Sequence, residues 1–321
     1  MMQIYIYMIS TLIMLILVII MNMISVAFLT LFERKIMGLF HYRKGPNKIS
    51  FIGFFQPFSD AMKLLSKELF FPLKSNMYMY IISPMFMFFL TMSMWMIYPF
   101  MSNLLTFKLN LLYFISLMSM GVFSLMIMGW SSNSMFSMIG SIRSIAQSIS
   151  YEVTFSLSLL IMMMIMNSLN LMKLIPYSKY IFLLFTFFPS MLILITSILA
   201  EINRTPFDLT EGESELVSGF NIEYGSSKFT LIFLAEYSSI LFMMLIFNFI
   251  YINTNLMNFL FYFMIMIMFF MITWIRMTFP RIRYDKLMYF CWFFLLPFSL
   301  INFLLYMMFM KFPLDLMIIL N

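Results

Sequence analysis

Eight stretches of this chain run for about 20 residues with almost no charge. They lie near residues 4–32, 77–99, 110–130, 145–167, 180–200, 229–251, 257–275 and 287–310. A helix rising 1.5 Å per residue needs that length to cross the hydrocarbon layer. Strand spans would alternate with period two in pieces of about ten residues. Runs such as Thr11 to Ile20 are apolar on every side, so helices are the expectation. The chain should be an all-α integral membrane protein: one polytopic membrane domain over 1–321, with about eight transmembrane helices. Only 10% of its residues are charged and 63% are hydrophobic, with mean hydropathy +0.98. A soluble globule carries about 25% charge. Soluble-enzyme, disordered, collagen-like and nucleic-acid-binding readings are therefore excluded.

An even number of spans puts both termini on one side. The loops of the other side, 33–76, 131–144, 201–228 and 276–286, collect most of the basic residues. The first holds Arg34, Lys35, Arg43, Lys44, Lys48, Lys63, Lys67 and Lys74. The rest add Arg143, Arg204, Lys228, Arg276, Arg281, Arg283 and Lys286. Only Lys108, Lys173, Lys179 and Lys311 of the 19 Lys and Arg fall on the terminal side. The positive-inside rule makes the basic side the inner one.

Two inner loops carry more than connection. In 33–76, Arg43-Lys44-Gly45-Pro46-Asn47-Lys48 reads as a basic turn. Gln56-Pro57-Phe58-Ser59-Asp60 then opens a helix with Pro in its first turn. Over 57–70, Phe58, Met62, Leu65 and Leu69 recur at 3–4 spacing, opposite Asp60, Lys63 and Lys67. That pattern describes an amphipathic helix lying on the bilayer. Loop 201–228 breaks the basic trend: Glu201, Asp208, Glu211, Glu213, Glu215 and Glu223 face only Arg204 and Lys228. Phe207, Leu209, Leu216, Val217 and Phe220 interleave with these acids, so the loop should fold back and pack rather than stay solvated.

Glu152 and Glu236 stand inside the fourth and sixth apolar runs, nine and eight residues beyond Arg143 and Lys228. Glu201 closes the fifth run. All three should reach similar depth from the inner side. An ionisable residue within a span costs at least about 2.5 kcal/mol on insertion scales, and marks a functional site unless an ion pair with Arg143, Arg204 or Arg276 explains it. Acids facing a wet cavity, with nearly matched proton affinities, would pass protons. A secondary transporter or antiporter would use the same residues, but no internal repeat relates the two halves.

One His (His41) and one Cys (Cys291) cannot build a haem, iron–sulfur or multi-histidine centre, so no metal site is expected. The 41 Met and 42 Phe against 9 Gly point to A/T-rich mitochondrial coding, with an A/T-rich bacterial symbiont as the alternative. The first apolar run is too long for a signal-peptide core and reads as a retained span, without an Arg- and Ser-rich leader ahead of it.

Particular motifs then bring in a resemblance. They are Glu33-Arg34-Lys35 with Gly38, the 43–48 turn, Gln56 to Ala61, and Arg143 leading to Ala146-Gln147 and Ser150-Tyr151-Glu152. The most specific block runs from Ala200-Glu201-Ile202-Asn203-Arg204-Thr205-Pro206-Phe207-Asp208 through Glu211-Gly212-Glu213 to Asn221-Ile222-Glu223-Tyr224 and Ala235-Glu236-Tyr237. Arg281 and Arg283-Tyr284-Asp285 follow. In these the sequence resembles the chain 1 family of NADH–ubiquinone oxidoreductases, the membrane subunit at the quinone end of respiratory complex I.

The resemblance implies an eight-helix fold in the mitochondrial inner membrane with both termini on the intermembrane-space side. It implies that the first span, the interfacial helix and the sixth span frame an opening for ubiquinone. Arg34, Asp60, Phe207, Asp208, Glu211, Glu213 and Arg281 would line or support the quinone passage. Glu152, Glu201 and Glu236, with Tyr151 and Glu223 nearby, would begin a proton path toward neighbouring membrane subunits. Ubiquinone would be the bound substrate. FMN and iron–sulfur clusters would belong to partner subunits, as would the residues that grip the quinone headgroup, so no catalytic residue is expected in this chain alone. Partners would be the other complex I subunits and membrane lipids, with no nucleic acid. The membrane subunit of a related hydrogenase shares the framework. In one departure, the family often carries Lys after Trp292, where this chain has Phe293.

Overall fold

The computed structural model describes residues 2–98, 107–164, 166–178, 183–209, 219–221, 223–252 and 258–320. Among them every regular element is helical and none is a strand. In hydrocarbon a backbone can satisfy its own polar groups only by helices or a closed barrel, and these sequences have the helical option throughout. Helix α1 spans Met2–Phe40 and α2 Gln56–Ser66. Next come α3 Met77–Met94, α4 Asn110–Ser132 and α5 Met135–Met164. The later helices are α6 Phe188–Glu201, α7 Ser226–Phe247 and α8 Phe259–Thr278. Last, α9 Tyr284–Tyr289 runs through a π-helical turn, Phe290–Leu295, into α10 Leu296–Leu320.

Seven of the described helices are long and apolar enough to cross a membrane, counting α9 and α10 as one, and α6 is a shorter apolar eighth. The protein is an all-α integral membrane protein that passes the bilayer several times. Serine is tolerated inside these spans because its hydroxyl bonds back to the carbonyl three residues earlier, as Ser124 does to Gly121 and Ser158 to Phe155.

Several boundaries differ from the hydropathy reading, and α1 itself runs on to Phe40, past the expected end of its span near residue 32. The expected inner loop 131–144 is only a two-residue turn around left-handed Asn133. Helix α5 therefore starts ten residues early, and Arg143 sits within it. Hydropathy falls over Ser137, Ser141, Arg143 and Ser144, yet nothing there stops a helix. At 30 residues α5 is about 45 Å long, more than the hydrocarbon layer needs. Helix α6 errs the other way. Its 14 residues rise only about 21 Å. A four-residue helix, Leu183–Thr186, precedes it.

Helices α3, α4, α5, α6 and α7 form the central pack. Helices α1 and α8 flank α7, while α10 flanks α5. The interfacial helix α2 lies against both α1 and α7 and ends at Ser66, four residues short of expectation. Its apolar face, with Met62 68% exposed, is the surface such a helix offers to lipid.

Candidate functional site

Residues at the inner ends of α1, α2 and α7 enclose a cavity of about 340 Å³. Ala27, Thr30 and Arg34 contribute from α1, Pro57, Asp60 and Leu64 from α2, and Phe229 and Phe233 from α7. These are the three elements expected to frame an opening. The size suits a small apolar ligand or part of a larger one. Arg34 and Asp60 sit at its polar edge, paired at 2.5 Å, and Gln56 Nε2 donates to the other Asp60 oxygen at 2.9 Å. With the Arg34 side chain 46% exposed, this pair contributes at most about 1 kcal/mol to stability. Its importance is positional.

Phe207, Asp208 and Arg281 form a separate group, away from the lining of that cavity. Arg281 Nη2 meets Asp208 Oδ2 at 3.2 Å, and the Ile282 N–H donates to Pro206 O at 3.0 Å. The segment after α8 is thus laid on the start of the acidic loop. The Phe207 ring packs against Tyr151 at 5.9 Å. Glu211 and Glu213, expected with this group, lie outside the described residues.

The residues expected on a proton path fall into two sets. Glu201 and Glu236 line one internal cavity of about 90 Å³, together with Asn203, Arg204, Ser148 and Ser239. A water occupies about 30 Å³ in the liquid, so the space suits a small water cluster. Glu201 Oε1 and Asn203 Oδ1 are shut from solvent and lack a hydrogen-bond partner among the described residues, which makes them natural ligands for such water. Glu152, on α5, does not line the cavity but acts electrostatically on Glu201. The three acids do converge. Tyr151 is set apart: its buried hydroxyl donates to Leu287 O at 3.3 Å. Glu223 is also apart, its carbonyl accepting a hydrogen bond from Tyr80. Its neighbour Tyr224 stacks on Tyr80 at 4.3 Å. Burial pushes the Tyr224 hydroxyl above its ordinary range, against the pull of its hydrogen bonds with Ser131 and Ser83.

Sequence reading missed the residue that joins these places. Glu33 is buried at the inner end of α1. It pairs with Arg276, accepts from the Tyr237 hydroxyl at 2.5 Å, and stands 3.7 Å from Arg204. Arg204 in turn lies over the Tyr237 ring at 4.7 Å. Burial alone would lower the Arg204 guanidinium, but Tyr237, Glu33 and Glu236 outweigh it and leave it above its ordinary value. Losing Glu33 would take away the carboxylate that Arg276 pairs with and one of the partners of Arg204, a loss of about 3 kcal/mol. In the sequence Glu33 is hidden between a long apolar run and Arg34-Lys35, so it reads as one charge of a basic loop. Its one sequence signal is an acid directly at a span exit.

A family model described as NADH dehydrogenase matches residues 13–307. The chain belongs to the NADH dehydrogenase family. It is 49% identical over 284 residues to NADH-ubiquinone oxidoreductase chain 1 of Aedes aegypti, covering 88% of this chain and 91% of that protein. It is 48% identical over 295 residues to the same-named protein of Anopheles gambiae, covering 92% and 94%. Against that of Locusta migratoria it is 49% identical over 290 residues, covering 90% and 92%. The departure at Phe293 falls in the π-helical turn, on an exposed outer face of the chain, where its ring stacks on Tyr289 at 4.5 Å. A cation at that place in a NADH dehydrogenase chain of this shape would face outward from the bundle.

Proposed function

We propose that this chain is the quinone-end membrane subunit of a proton-pumping NADH:ubiquinone oxidoreductase, respiratory complex I, of the mitochondrial inner membrane, with both termini toward the intermembrane space. Ubiquinone enters between α1, α2 and α7, past Arg34 and Asp60. It is reduced at a headgroup site completed by a partner subunit, beside the loop carrying Phe207, Asp208, Glu211 and Glu213 and held by Arg281. FMN and iron–sulfur clusters are in partner subunits. Charge changes at the loop reach Glu201, Glu236 and Glu152, and a proton moves on toward neighbouring membrane subunits, with Tyr151 and Glu223 flanking the route. The chain is thus one polytopic domain that is part of an enzyme and carries no complete active site itself.

The observation that carries this reading is the closeness of two unlike sites. The cavity between α1, α2 and α7 is lined by Phe229 to Leu234 of α7, and the cavity that holds Glu201 is lined by Glu236, Ser239 and Met243 of the same helix, so the two meet successive stretches of α7. A proton carrier needs acids reachable by water within an otherwise dry bundle, and Glu201 meets that requirement best. Substituting Glu201→Gln in the assembled enzyme keeps shape and removes the titratable group. Quinone reduction or the protons pumped per NADH should drop by about tenfold or more, the scale on which loss of a required proton-transfer group is felt. Full turnover with full pumping in that variant rejects the role.

A further inference from the structure

Glu33 has more cationic partners than one carboxylate needs. Arg276 pairs with it directly, Tyr237 donates to it at 2.5 Å, and its side chain is 5% exposed. Arg204 is the looser partner at 3.7 Å, and is itself only 11% exposed. One carboxylate against two guanidiniums leaves a net positive charge in a place with little water. A second acid bears on Arg204. Glu236 acts electrostatically on that guanidinium. Arg204, Glu236 and Glu201 line the same cavity of about 90 Å³, and Glu201 Oε1 is buried there without a hydrogen-bond partner among the described residues. The guanidinium lies over the Tyr237 ring at 4.7 Å and also hydrogen-bonds with that residue, which steadies it.

We propose that Arg204 is a positioning residue for the coupling step: a cation shared between Glu33 on α1 and the Glu201–Glu236 pair, which passes displacement of α1 on to those acids as a change of local charge. The link to the doorway is one residue long. Arg34 follows Glu33 on α1, pairs with Asp60 of α2, and lines the apolar cavity. An occupant that tilts α1 or strains the Arg34–Asp60 pair moves Glu33 with it. Arg204 then leans toward Glu33 or toward the acids. Arg276 and Tyr237 keep Glu33 satisfied in either case, so the movement strands no carboxylate. This inference rests on the functional reading above.

The test uses double-mutant cycles in the assembled enzyme in sealed membranes, with quinone reduction and proton uptake measured together. R204M should lower turnover and pumping by about tenfold with little change in KM for quinone, and R204K should recover part of the loss. R204M should be non-additive with both E33Q and E236Q, each double variant falling within about twofold of its worse single. If R204M does not assemble, the same cycles run on R204K with the same criterion. Additivity with E236Q, while E236Q alone is impaired, overturns the shared-cation role and leaves Arg204 as a mere brace for Glu33, with the parent reading intact. Additivity with E33Q overturns it equally. Normal pumping in both E201Q and E236Q instead sinks the parent reading, and this inference with it.

Discussion

Gln147 holds the acidic loop at its root. Its amide nitrogen donates to Ala200 O at 2.8 Å and to Phe207 O at 2.9 Å, closing the chain reversal between them onto α5. Each carbonyl also accepts a backbone N–H, Asn203 to Ala200 and Leu209 to Phe207, so neither is orphaned by a substitution. Gln147→Met should therefore cost only about 1–2 kcal/mol, seen as a lower midpoint of thermal inactivation of the enzyme with activity retained below it. Lys228 has the opposite sign. It is 7% exposed and its Nζ has no hydrogen-bond partner among the described residues. Among the described residues the ammonium sits against the Phe71 and Tyr80 rings, at 3.5 and 4.2 Å from their centroids. Two such contacts contribute roughly 2 kcal/mol or somewhat more, while burying the charge costs several. Lys228→Met, of similar length and neutral, should leave the midpoint unchanged or raise it; a fall of several degrees would contradict this balance. Rarity made residues legible at this scale. A glutamate inside an apolar run is conspicuous, so Glu152, Glu201 and Glu236 could be picked from sequence. Gln147, Glu33 and Lys228 look ordinary in sequence because their chemistry depends on partners 60, 204 or 157 positions away.

Between elements, close approach is set by small residues. On α4, a Cβ added at Gly129 would overlap Ser141 Oγ and Cβ of α5, whereas one at Gly121 would meet nothing within 4 Å. Gly129→Ala must separate α4 from α5 or force Ser141 aside, and should destabilise by about 1–3 kcal/mol. Gly121→Ala meets open space and removes a flexible helix residue, so it should stabilise by up to about 1 kcal/mol. Detergent-dependent unfolding of the pair separates packing from propensity, and equal effects at the two sites would refute the contact. Hydropathy located the spans because the bilayer imposes length and apolarity together. It misplaced the start of α5 because serines and one arginine lower hydropathy without ending a helix. It also cut α2 late, since Lys67, Glu68, Leu69 and Phe70 extend the amphipathic pattern past the point where Lys67 turns extended. The doorway followed from no periodicity; resemblance named its three elements, and packing of α2 against both α1 and α7 brings them together.

For the molecule as a whole, the charge bias decides how the bundle sits. On the proposed reading eight apolar helices, α6 included, return the chain to its starting side, and the segments 33–76, 131–144, 201–228 and 276–286 on the other side carry 15 of the 19 Lys and Arg. The same arithmetic puts a strongly basic segment, 33–76, on the side of the acidic loop 201–228. Electrostatics thus favours packing these segments together or against an acidic partner surface. The arrangement makes a labelling prediction. Cys291 is the only cysteine and is fully buried, so background reaction with a membrane-impermeant maleimide should be low. Cysteines placed at Tyr42, which is fully exposed, and at exposed Lys286 should react from one face of membranes stripped of peripheral subunits. Cysteines at exposed Lys108 and Lys173 should react only from the opposite face. On the proposed reading the first face is the matrix. A reagent confined to one face that modifies both 42 and 108 would break the span count. Every depth assigned to Glu152, Glu201 and Glu236 would fall with it, because each is measured from an inner end that this experiment locates.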